Sequence, residues 1–144
     1  MFKTWEGDDV KQTVALLMLG NAALFLFGAL QHVGVAIGPL HEPVIIPASI
    51  VELLCALALI WGTAAVLIRS HSAWRAVLIG NLVAITGVTV GIVALAAGAG
   101  PRTASNDLYH RIMLALAAAS LIIIFLPNGR EMLHRRNRGY FHAE

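Results

Sequence analysis

Apolar residues fill the chain in four long blocks, at about 13–38, 43–68, 73–98 and 107–126, and polar residues gather between them. Each block reaches the roughly 20 residues that a helix needs to cross a bilayer. "GPLHEP", "RSHS" and "GAGPRTASN" interrupt the blocks, and Pro127, Asn128 and Gly129 close the last one. Proline, glycine, serine and asparagine at such positions stop helices rather than extend them. Connectors this short set successive helices side by side and reversed. The pattern therefore predicts an all-α, integral membrane up-down four-helix bundle. The whole chain, 1–144, reads as one four-span domain with a basic tail over 128–144.

Small residues add a second pattern. Gly80, Ala84, Gly87, Gly91 and Gly98 fall close to one face of the third block, and Gly20 and Gly28 do the same in the first. Gly87 and Gly91 have the spacing that lets helix backbones approach closely. Tight packing inside one bundle is the favoured use of Gly80, Gly87 and Gly91, ahead of a seam between copies. Asn21 and Asn81 are expected to hydrogen-bond across helices. "LGN" at 19–21 and "IGN" at 79–81 are a faint internal echo, and so common a combination of small residues carries no argument for duplication.

Composition agrees with a bilayer environment. Hydrophobic residues make up 58% and charged residues 12%, against about 25% charged in an average soluble domain. The lipid bilayer is thus the first expected partner. The placement of charge then sets orientation. Lys3, Lys11, Arg69, Arg75, Arg130, Arg135, Arg136 and Arg138 lie on one side of the four spans, and only Arg102 and Arg111 on the other. Basic residues accumulate on the cytoplasmic side of membrane proteins, so both termini are expected in the cytoplasm. Trp61 and Trp74 flank the loop on that side, where interfacial aromatics are favoured. "REMLHRRNRGYF" reads as a solvated basic tail or, alternatively, as a helix lying on the inner leaflet. The N-terminus has acids where a secretory signal has bases, so the first span is expected to be retained.

Against this background, Glu52 stands out inside the second block. A charge at mid-membrane costs about 2.5–3.5 kcal/mol on insertion scales, so Glu52 is expected to face the bundle interior and find partners there. Helical spacing puts Ala48, Ser49, Cys55, Ala56 and Thr63 near its face. Depth decides which partners reach it. Glu52 lies roughly 13 Å from the start of its span counted from Pro43, or about 8 Å counted from Pro47. His32 lies about 9 Å from the outer end of the first block. "NDLYHR" places Asp107 and His110 within about 6 Å of the outer end of the fourth. His32, Glu52, Asp107 and His110 thus fall in one outer layer, from three helices, as a site in a bundle core would. His41 and Cys55 form a secondary set around it.

Imidazole and carboxylate together suit zinc, copper or iron, so a transition metal is one expected occupant and a small ligand another, with redox chemistry open to either. His32 and His110 as axial ligands of haem b form a lesser alternative. Plainer roles compete: an Asp107–Arg111 salt bridge, His32 bonded to a backbone carbonyl, and Glu52 bonded to Ser49 or Gln31. Function accordingly divides three ways. The chain is a membrane protein with an outer-facing binding site, or a non-catalytic structural subunit of a larger membrane complex, or a proton-coupled transporter using Glu52. Homo-oligomers or other membrane subunits are expected partners. The tail does not alternate aromatic with basic residues, which argues against nucleic acid. No phosphate-binding loop, nucleophile elbow or Cys-x-x-Cys is present in the sequence, so nothing in it establishes an enzyme.

Overall fold

The structure is a computed structural model that describes residues 7–37, 43–100, 103–127 and 129–134. It is all-helical, with α1 (Gly7–His32), α2 (Ile46–Leu67), α3 (Ala73–Ala96), α4 (Ala104–Phe125) and the short α5 (Gly129–His134). The first four are long and apolar enough to cross a membrane. They close a ring in which α1 packs on α2 and α4, and α3 packs on the same two neighbours.

The helices fit together by spacing rather than by a simple division of apolar from polar. Along α1, Val10, Val14, Met18, Ala22, Phe25 and Ala29 are buried at intervals of three and four residues. Leu16, Leu19, Leu26 and Leu30, equally apolar, are left exposed on the other faces. A helix apolar all round belongs where its outer face also meets an apolar medium.

Glycines and alanines set how closely the helices meet. An added Cβ on Gly80 would stand 2.8 Å from the backbone oxygen of Ala58, and one on Gly62 would stand 3.0 Å from that of Ala76. Gly87 packs against the thiol of Cys55. Gly80, Gly87 and Gly91 all face neighbours within the chain. Gly20 does not join this pattern: nothing lies within 4 Å of where its Cβ would be. The asparagines also divide. Asn21 donates across the bundle to the carbonyl of Met113 at 3.2 Å, whereas Asn81 bonds within its own helix, to Val77 at 2.8 Å.

Helix ends differ from the apolar blocks for identifiable reasons. α1 stops at His32 rather than near Gly38, because Gly34 takes a left-handed conformation, φ +91°. The Gly34 N–H then donates to Gln31 and the Val35 N–H to Leu30, the paired bonds of a Schellman cap. Gly98, φ +83°, ends α3 in the same way. At the end of α2 the same bonds form around Arg69, at φ +54°. A residue with a Cβ pays roughly 1–2 kcal/mol for that conformation, which glycine adopts freely. α4 begins at Ala104, three residues before Asp107, because the Thr103 hydroxyl accepts from the Asn106 N–H at 3.1 Å. Such an N-cap is worth about 1 kcal/mol.

After α4 the chain turns at once into α5. Leu133 is only 2% exposed and joins the core with α1, α3 and α4. Residues 129–134 therefore pack on the bundle, while the rest of the basic tail lies outside the described residues. Trp74 meets Phe125 edge to face at this same end, with ring centroids 5.9 Å apart.

Candidate functional site

Four helix ends converge at the opposite end of the ring. The last turn of α1, the first turns of α2 and α4, and the last turns of α3 enclose a cavity of about 320 Å³. Its walls are mostly apolar, from Phe25, Val51, Val88, Leu95 and Met113, and its polar lining comes chiefly from His32, Glu52, Asn106 and His110.

Local structure explains each position. Ser49 donates to the Ala29 carbonyl at 3.0 Å, and the Ile45 N–H to the His32 carbonyl at 3.0 Å, tying α2 to the end of α1. Glu52 follows about 9 Å along α2 from its first residue. His32 sits in the final turn of α1, not a turn and a half inside it, because Gly34 ends the helix early. Its Nδ1 lies 3.2 Å from the Pro43 carbonyl and, carrying the proton, donates to it. That directs Nε2 toward Glu52, whose Oε1 is 3.8 Å away.

At 3.8 Å the imidazole and carboxyl make no direct hydrogen bond. They are close enough for one atom of a ligand to touch both. With Nδ1 committed to a carbonyl, Nε2 is the ring nitrogen left to meet a ligand beside Glu52 Oε1. Tyr109 adds a third group. Its hydroxyl donates to the Leu24 carbonyl at 2.7 Å and stands 3.5 Å from Glu52 Oε1, a weak second contact.

Glycines make room for these side chains. A Cβ on Gly28 would run into the Tyr109 hydroxyl and the Glu52 carboxyl. One on Gly91 would stand 3.0 Å from His110 Nε2. Gly91, expected to serve helix packing alone, thus also seats a histidine. His110 Nδ1 is buried and has no hydrogen-bond partner among the described residues.

The structure brings His32, Glu52 and His110 to one cavity. Asp107 lies in the first turn of α4, half-buried, and does not line it. Cys55 is turned away: it is buried against Gly87 and its thiol points to the Val83 carbonyl at 3.6 Å. His41 lies outside the described residues. Among the described residues, no three His, Cys, Asp or Glu side chains are grouped to hold a metal ion. Ser49, a candidate partner of Glu52, donates its hydroxyl to the Ala29 carbonyl.

Sequence reasoning passed over Asn106 and Tyr109, and read Gly28 as a packing residue. On α4 the signal was the spacing: Asn106, Tyr109, His110 and Met113 recur at three and four residues and share one face, whereas Asp107 and Arg111 lie off it. No protein-family model matches the chain, and no curated protein or solved structure matches it.

Proposed function

We propose that this chain is an integral membrane up-down four-helix bundle with both termini in the cytoplasm, and that its outer-end cavity binds a small, largely apolar molecule with one polar head. The orientation is supported by eight of the ten basic residues falling on one side. The order of contacts supports reversed neighbours. Met18 of α1 meets Gly62 of α2, while Ala29 meets Ser49.

The ligand reading is carried by one observation: the His32–Glu52 pair, 3.8 Å apart, faces a mostly apolar cavity of about 320 Å³. Intramembrane acids and histidines that face a cavity typically mark a binding or proton-relay site. The apolar walls receive the body of the ligand, and the His32–Glu52 pair, with His110 opposite, receives its head. A small organic ligand fits this lining better than a transition metal, which needs several converging donors. Haem has no support in the dimensions: at about 320 Å³ the cavity is at the small end for any cofactor.

The purified protein tests this with a thermal-shift screen of small apolar amines, alcohols, phenols and carboxylic acids. At least one class is expected to stabilise the wild type and to lose that effect in Glu52→Gln. Failure of every class, or equal stabilisation of the variant, would overturn the ligand reading. Orientation has its own check: a cysteine placed at 99–106 should label with an impermeant reagent in intact cells, and one at position 71 should not. The reverse pattern would invert the topology.

A further inference from the structure

A second concave feature lies at the other end, between the start of α1 and the end of α2. It is a groove lined by Lys11, Gln12, Thr63 and Arg69, with Leu16, Leu19 and Leu67 along its length. The three leucines are exposed by half or more, so the groove opens on the outward surface of the bundle.

Its two cations are held in unequal ways, both informative. Lys11, in the first turns of α1, lines the groove and is only 7% exposed. Arg69 stands at the left-handed position of the helix cap, φ +54°, where the equivalent caps of α1 and α3 use Gly34 and Gly98. The chain thus accepts a strained residue at one of three equivalent turns. Strain of that kind persists where the side chain is needed, and here the side chain lines the groove beside Lys11.

We propose that this groove is a binding site for one anionic phospholipid. Its phosphate sits between Lys11 and Arg69, and an acyl chain runs along Leu16, Leu19 and Leu67. Charge complementarity selects the occupant. Two cations in the lining of an apolar, outward-facing groove match a molecule with an anionic head and a long apolar tail. Basic pockets between helices at the cytoplasmic side are a recognised form of lipid headgroup site. Free phosphate would meet the cations and leave the leucines unused, and a zwitterionic lipid would bring its own cation toward Lys11 and Arg69. The inference rests on the membrane placement proposed above and is independent of the ligand site at the Glu52 end.

The test uses the full chain purified in detergent, with native mass spectrometry of bound phosphatidylglycerol and phosphatidylcholine of matched acyl chains. The wild type should retain phosphatidylglycerol preferentially. Each cation is expected to contribute about fivefold to that preference. Arg69→Gly should lower it by about that factor while leaving the lipid-free protein at least as heat-stable, because glycine suits the turn. Lys11→Gln should lower it similarly without touching the turn. Inorganic phosphate at the same concentration should not compete. Equal retention of both lipids, competition by phosphate alone, or an unchanged preference in both variants would overturn the proposal. Failure of the Glu52 ligand screen would leave these outcomes unaffected.

Discussion

Glycine has opposite tasks at the two ends of this bundle. Toward the Lys11 end, Gly62 and Gly80 let backbones touch: the atoms a new Cβ would meet include the carbonyl oxygens of Ala76 and Ala58, at 3.0 and 2.8 Å. At the Glu52 end, Gly28 and Gly91 leave space for the ends of polar side chains, those of Tyr109, Glu52 and His110. A backbone carbonyl is fixed by its helix, whereas a carboxyl, phenol or imidazole can rotate away. The first end is therefore built for rigidity. The second is built around a cavity whose polar groups hold their places only while glycine leaves them room.

Substitutions that add one methyl group separate these tasks. Gly80→Ala should have the largest effect on stability, a loss of about 1–3 kcal/mol, because helix backbones must move apart. Chemical or thermal denaturation in detergent measures it. A loss no larger than that of Gly28→Ala would remove the distinction between the two ends. Gly28→Ala should lie near the low end, about 1 kcal/mol, since only side-chain ends must shift. It should nevertheless abolish ligand stabilisation by displacing Glu52 and Tyr109. A variant with intact ligand response would mean that the cavity does not depend on that seat. Gly20→Ala should be neutral or gain up to about 1 kcal/mol, because nothing lies near its Cβ and alanine favours the helix. Destabilisation there would point to a neighbour outside the chain, such as a second copy.

Much of the fold was legible because apolar blocks of membrane length leave few alternatives, and four spanning-length helices follow from them. Helix ends were less legible. Gly34 and Thr103 were visible as residues, but the apolar run continues past Gly34 to Ile37, and hydropathy alone does not register a left-handed turn. That is why His32 was placed too deep. His32, Glu52 and His110 line one cavity all the same, since depth along a span changes slowly, at about 1.5 Å per residue. Rotation about the axis changes fast, by about 100° per residue. Asp107 was carried into the layer by depth and lies off the cavity by rotation, while Tyr109 has the right rotation and was overlooked. Asn81 illustrates a different limit: a buried amide can satisfy itself on its own helix, and sequence does not say which carbonyl it will take.

The most direct test of the shared site is a double-mutant cycle on Glu52 and His110, read as the stabilisation conferred by the most effective compound of the ligand screen. Residues that hold one ligand lose most of their joint contribution when either is removed. Glu52→Gln and His110→Ala should each remove most of the stabilisation, and the double variant should match the worse single one. Strictly additive losses, or a silent Glu52→Gln, would mean that the carboxyl and the imidazole act separately and that the cavity is not a common binding site.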